Sequence, residues 1–256
     1  MGKWKKWLSA GLFTAMLGTA IIAGPTADVS ANAGNKPYNS ENVSPDAHLA
    51  PSVGDSSSKT SSKAWHKIDG VCYNGSGKKV EGAITRGMDV SEWQGKINWK
   101  EAKKDLDFAF VRISYGTRHL DDYYDYNMTE AEAADVPVGT YVYSLAKTNK
   151  EALAEAQLAI RQMQGHKVSY PVAFDLEDEA TLGTLTRKEI SQIALTFCDE
   201  IRKAGYTPIL YMNLNWYNNF VDWNVLEGSG LDVWIASYGD TILAPSASKY
   251  KYTIWQ

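Results

Sequence analysis

Residues 171–178, PVAFDLED, set Asp175 and Glu177 two positions apart at the end of an apolar run, with Asp178 directly after them. Strand side chains alternate between faces, so Asp175 and Glu177 share one face. Two carboxyls held that close cannot both ionise cheaply, because like charge and partial burial raise the proton affinity of one of them. A protonated carboxyl beside a charged one is the division of labour that glycosidic bond cleavage needs. One group protonates the leaving oxygen, and the other faces the developing oxocarbenium centre. Asp89 closes a second apolar run, GMDV, and is a third carboxyl of the same kind. The competing reading makes these acids the start of the next helix, where carboxylates favour the positive end of the dipole. Asp178 and Glu179 fit that reading better than Asp175 and Glu177 do.

The elements that must position these groups begin at residue 84. AITRGMDVS, DFAFVRISYG, PVGTYVYSLA, YPVAFDLED, TPILYMN, LDVWIASYG and YKYTIWQ read as strands. Between them, NWKEAKKDL, YYDYNMTEAEAADV, NKEALAEAQLAIRQMQG and TRKEISQIALTFCDEIRKAG read as helices. Nearly continuous apolar strands with short connections predict a parallel sheet covered by helices. The absence of a glycine-rich phosphate turn favours an α/β barrel of the TIM type over a nucleotide-binding sheet. In such a barrel the chemistry gathers where strands end. Those ends carry Asp89; Arg112, Ser114 and Tyr115; Tyr141 and Tyr143; Asp175 and Glu177; Tyr211 and Asn213; Trp234 and Tyr238. Of Tyr141 and Tyr143, only one is expected to face the mouth, since the interior layers have limited room. Arg112 reads equally as a substrate contact or as a structural ion pair inside the barrel. His119 reads as a surface loop residue.

Composition narrows the function classes. The chain has 256 residues and a formal net charge of −4, which gives no basic face for nucleic acid. Nine Trp and fifteen Tyr are a surplus of the kind that lines carbohydrate sites. Lys3, Lys5 and Lys6 precede an apolar run from Leu8 to Ala23 and small-residue sites at Ala31 and Ala33, the layout of a secretory signal peptide over residues 1–33. Such a chain is exported, with no stable membrane insertion once the leader is removed. Residues 34–63 are rich in Ser, Asn and Pro and read as a flexible linker. Residues 64–83 read as a small hairpin or leader segment with an Asn-Gly turn, ahead of the barrel at 84–256. Cys72 and Cys198 are not expected to pair, because Cys198 lies on the apolar stripe of a helix. The four histidines show no ligand spacing, so neither a metal nor another cofactor is expected.

RGMDVSEWQGKINW, FAFVRISYGT, VGTYVYSLA, PVAFDLED, GYTPILYMN, DVWIASYG and YTIWQ, in that order, resemble the successive strand motifs of the glycoside hydrolase family 25 lysozymes. The resemblance implies a modified (β/α) barrel and N-acetylmuramidase activity on the β-1,4 bond between N-acetylmuramic acid and N-acetylglucosamine. Peptidoglycan would be the partner, and a monomer the working form. It implies Glu177 as general acid, Asp175 orienting or polarising the substrate N-acetyl group, and Asp89 as the first-strand aspartate. Their strand-end positions make Arg112, Ser114, Tyr115, Tyr143, Tyr211, Asn213, Trp234 and Tyr238 the candidate sugar contacts. One departure stands out: members continue past IWQ into a last strand with a further aspartate, so the barrel is expected to lack its final strand. Two other functions compete. One is an inactive wall-binding module on the same barrel. The other is a chitinase-like barrel, whose longer D-x-x-D-x-D-x-E run is absent.

Overall fold

The computed structural model describes residues 12–17, 66–74, 77–237 and 250–256, and the linker and most of the leader lie outside these. For residues 12–17 it describes the backbone alone. The strands in chain order are β1 (Leu12–Leu17), β2 (His66–Ile68), β3 (Val71–Tyr73), β4 (Ala83–Val90), β5 (Phe108–Tyr115) and β6 (His119–Leu120). They are followed by β7 (Val138–Tyr143), β8 (Val168–Asp175), β9 (Pro208–Asn213), β10 (Asp232–Ala236) and β11 (Ile254–Trp255).

β4, β5, β7, β8, β9, β10 and β11 lie side by side in that order, all parallel, as one curled sheet. β6 adds an antiparallel edge by folding back on β5. β1 lies between β11 and β4 and pairs parallel with both. Phe13 is in register with Ile254 and Leu17 with Asp89, and these residues belong to the segment read in the sequence as the leader. Any parallel edge offers unpaired N–H and C=O groups, and an apolar β-prone segment is the kind of chain that covers one.

The sheet separates two cores. On its outer face Met88, Val111, Val142, Phe174, Leu210 and Ile235 pack under the helices. The helix Arg187–Lys203 contributes Ile190, Ala194, Phe197 and Ile201 at the 3.6-residue period, and Phe197 stacks on Phe174 with ring centroids 4.1 Å apart. Thr186 starts this helix with a capping box, accepting from the Glu189 N–H while the Glu189 carboxylate accepts from the Thr186 N–H. Cys198 is buried in the same layer, and Cys72 and Cys198 are both free thiols. Inside the barrel Phe108, Phe110, Ala173, Ile209 and Trp234 form a second core. Gly139 lets it close: a Cβ there would stand 2.5 Å from the Pro171 carbonyl oxygen and 2.6 Å from the Phe110 ring.

β2 and β3 form the small antiparallel hairpin, but its turn is Asp69-Gly70, with φ of 49° and 80°, and not the Asn-Gly pair. Two left-handed residues in a row are what a tight hairpin turn requires. The hairpin is tied to the barrel by Lys67, whose Nζ lies 2.8 Å from the Asp107 carboxylate, just ahead of β5. Among the described residues no helix is long and apolar enough to cross a membrane.

Candidate active site

β4, β8 and β9 end at the same rim, and their last inward-facing residues carry the three carboxyls and their partners. Asp175 is the last residue of β8, in register with Tyr143 on one side and Tyr211 on the other. The alternation that points Phe174 at the helix layer sends Asp175 into the barrel, where it is buried. Its Oδ1 has no hydrogen-bond partner. Glu177, two residues on, is partly exposed and receives hydrogen bonds from the Asn213 side chain, the Asn213 backbone N–H and the Tyr211 hydroxyl. Asn213 is held for this by its own oxygen, which accepts from the Trp216 N–H at 3.0 Å and caps the helix Leu214–Asn219. Asp89 ends the inward row of β4, buried, with its Oδ1 accepting from Gln256 Nε2 at 2.8 Å.

Asp89, Tyr141, Asp175, Tyr211 and Trp234 line a small pocket of about 60 Å³ at this rim. Trp234 forms its floor, 4.6 Å centroid to centroid from both Tyr211 and Phe110, and its indole N–H is buried without a partner. Asp175 Oδ1 and Trp234 Nε1, on two of the residues that line the pocket, are thus a buried acceptor and a buried donor without protein partners.

Burial dominates the electrostatics. It pushes the Asp89 carboxyl up to about 7, with the charge of Glu177 adding to the shift. Burial also pushes Glu177 to about 7, against the hydrogen bonds from Asn213 and Tyr211 that favour its charged form. Asp175 is driven well above the ordinary carboxylate range by burial, then by Glu177, with Asp89 contributing and Arg112 opposing. The three groups cannot all be ionised at neutral pH, so the cluster keeps at least one proton ready for transfer.

The aromatic wall differs from expectation. Tyr141 and Tyr143 both face inward, the first in the pocket and the second stacked on Tyr115 with centroids 4.9 Å apart. The Tyr115 hydroxyl donates to Asp178 Oδ2 at 3.3 Å. Asp178 also caps the short helix Glu179–Leu182, its Oδ1 accepting from the Thr181 N–H at 2.7 Å, so it belongs to the connection and not to the carboxyl cluster.

Ser114 is not brought into the group. The β5–β7 register shifts between Arg112 and Ser114, and Ser114 then pairs with Val142, an outer-core residue, while Tyr115 pairs with Tyr143. A one-residue bulge reverses the facing of the residues after it, so Tyr115 turns inward where strict alternation would have placed Ser114. Arg112 is committed to an ion-pair network: its Nε lies 2.9 Å from Asp121 Oδ2 and its Nη2 2.8 Å from Glu92 Oε1, and Glu92 also meets His119 at 2.8 Å. That is the structural role weighed against substrate contact. His119 is exposed, as read, but in β6 and with Glu92 as partner. Tyr238 lies outside the described residues.

Sequence reasoning missed Gln256, Glu92 and Asp121, each of which holds a site residue through a contact across the fold. The polar start and end of neighbouring strands were their only signal.

Residues 88–256 match the family model described as Glycosyl hydrolases family 25. The chain is 25% identical over 181 residues to Lysozyme M1 of Streptomyces globisporus, covering 67% of this chain and 60% of that protein. It is 26% identical over 139 residues to the uncharacterized protein YegX of Escherichia coli (strain K12), covering 52% of this chain and 49% of that protein. It thus spans less than two thirds of either relative. The solved structure of a family 25 glycosyl hydrolase from Bacillus anthracis superposes with a TM-score of 0.55 at 24% identity, covering 66% of this chain and 77% of that one. The muramidase from Trichobolus zukalii superposes with a TM-score of 0.55 at 19% identity, covering 66% and 85%. At these identities the structural likeness shows the fold.

Proposed function

Because the chain belongs to the glycosyl hydrolases family 25, we propose that it is an exported peptidoglycan hydrolase that cuts the β-1,4 bond between N-acetylmuramic acid and N-acetylglucosamine. The observation that carries this reading is the buried Asp175 carboxylate, with one unpartnered oxygen, in the lining of a pocket it shares with Asp89 and with Glu177 beside it. Glu177 is the general acid. It is the most accessible of the three carboxyls, and its upward shift to about 7 keeps a proton available near neutral pH. As the proton passes to the glycosidic oxygen, the bond from that oxygen to C1 breaks and the leaving sugar departs as the alcohol.

Asp175 accepts from the N–H of the substrate's N-acetyl group and orients its carbonyl oxygen toward C1, where it supplies the electron pair that the leaving group vacates. Water then adds at C1 as the bond from C1 to the N-acetyl oxygen breaks and its electron pair returns to that oxygen; the water gives its proton to the Glu177 carboxylate, restoring the starting state. Asp89, held by Gln256, supports positive charge developing in the pocket. The Tyr115–Tyr143 pair, both partly exposed, offers aromatic faces to the sugar rings. The Lys-led apolar leader supports action outside the cell, at the wall.

Turbidity loss of purified peptidoglycan, together with new reducing ends, tests the reading. Binding to the wall with neither signal would instead make the chain a wall-binding module.

A further inference from the structure

Glu155 is a buried carboxyl that the proposed reaction does not use. It lies in the helix Asn149–Met163, between Ala152, Ala156 and Ala159 on the face turned to the sheet, where a carboxyl is costly to hold. Burial pushes it up to about 7. What it touches is the loop that leaves β7. Its Oε2 accepts from the Ser144 hydroxyl at 2.8 Å and its Oε1 from the Leu145 N–H at 2.9 Å.

The loop's other amides are also accounted for. The Ala146 N–H donates to Ser144 Oγ at 3.2 Å, and the Lys147 N–H to Glu151 Oε2 at 2.8 Å. The remaining one leads to the site: the Ser144 N–H donates 3.0 Å to the carbonyl oxygen of Asp175. The Gly116 N–H, next to Tyr115, donates to the Tyr143 carbonyl at 2.8 Å. Gly116 lies against Leu145, close enough that a Cβ there would stand 3.1 Å from Leu145 Cδ1. One carboxyl therefore fastens a short loop that braces both the end of β8 and the Tyr115–Tyr143 pair.

We propose that Glu155 is a positioning residue for hydrolysis: through Ser144 and Leu145 it holds the β7 loop against the Asp175 main chain and so fixes the aim of the Asp175 carboxylate. The inference rests on the muramidase reading for its rate effect, but the fastening itself is separate from it. A carboxylate misaimed by a fraction of an ångström loses transition-state stabilisation more than ground-state binding.

Three variants of the full chain test this. Glu155→Ala removes both acceptors. Glu155→Gln keeps an acceptor for the Leu145 N–H and can donate to Ser144 Oγ, whose hydroxyl rotates freely. Ser144→Ala removes the link while leaving Glu155 its bond to Leu145, and it keeps the test open if Glu155→Ala does not fold. In Glu155→Ala, amide hydrogen exchange should show lost protection at Ser144 and Leu145, and in Ser144→Ala at Ser144, while the Phe174 and Leu210 amides stay protected. Hydrolysis of purified peptidoglycan by Glu155→Ala should lose roughly ten- to a hundredfold in kcat with KM within about threefold, and Glu155→Gln should recover most of the loss. Unchanged protection of the Ser144 amide in a folded Glu155→Ala or Ser144→Ala would overturn the fastening, whatever the activity. Lost protection with full kcat, or Glu155→Gln as impaired as Glu155→Ala, would overturn the positioning role. Absence of hydrolysis by the wild-type chain would count against the muramidase reading alone, and exchange would still decide the fastening.

Discussion

Replacing Asp175 by Asn should make the protein more stable and nearly inactive at once. In the folded chain Asp175 is buried, its Oδ1 has no hydrogen-bond partner, and Glu177 and Asp89 lie close enough to raise its proton affinity further. The fold therefore gains little from this carboxylate and bears the cost of ionising it in the interior. Holding an ionised carboxyl in the interior without a full set of partners costs on the order of 1 kcal/mol or more, so removing the charge should stabilise the protein at about pH 8 by on the order of 1 kcal/mol. For a domain of this size that is about 2–4 °C in melting temperature. Near pH 4 the carboxyl is protonated in any case, and the gain should vanish. Hydrolysis should fall at least about a hundredfold, because the amide no longer offers a charged acceptor to the substrate. Asp178→Asn is the matched control. Asn caps a helix as well as Asp does, so the 2.7 Å bond from the Thr181 N–H survives, and both stability and activity should stay within about twofold of wild type. Thermal unfolding at the two pH values and release of reducing ends from purified peptidoglycan measure both halves. A destabilised Asp175→Asn protein, or equal activity losses in the two variants, would refute the placement of these residues.

The same physics predicts the pH dependence of the whole domain. Asp89, Glu155 and Glu177 hold protons more tightly folded than unfolded, so the stability they lend is full below the ordinary carboxylate range and is lost as pH rises through about 7. The melting temperature should fall between about pH 5 and pH 8, and a rise over that interval would contradict the burial of the cluster. The rate kcat/KM should decline above about pH 7 as Glu177 loses its proton, and a profile still climbing there would exclude it as the acid. Gly139→Ala should destabilise by about 1–3 kcal/mol, because the new methyl group meets a backbone carbonyl that cannot turn away; an unchanged urea midpoint would mean β7 has a different register.

How far the fold was legible in the sequence depends on the range of the interactions involved. Continuous apolar runs located the parallel strands, and alternation along β8 was enough to put Asp175 inside while leaving Glu177 on the same side, because no bulge interrupts the end of that strand. The same alternation misplaces Ser114, where a one-residue shift after Arg112 is invisible without the partner strand. The ion pairs that hold Arg112 join residues from β5, the turn after β4 and the turn after β6, and no local pattern encodes them. Glu155 did leave a trace, as a charged residue within the Ala152–Ala156–Ala159 stripe of an otherwise amphipathic helix. Its partners, in a loop ten residues earlier, were legible only once the helix was folded back on β7.

The most direct measurement is the identity and rate of the reducing ends released from purified peptidoglycan by the wild-type chain and by Glu177→Gln. N-acetylmuramic acid should appear at the new reducing ends, and Glu177→Gln should release them at least about a hundredfold more slowly while still binding the wall. New ends bearing N-acetylglucosamine, or near-full turnover by Glu177→Gln, would contradict the muramidase assignment and its general acid.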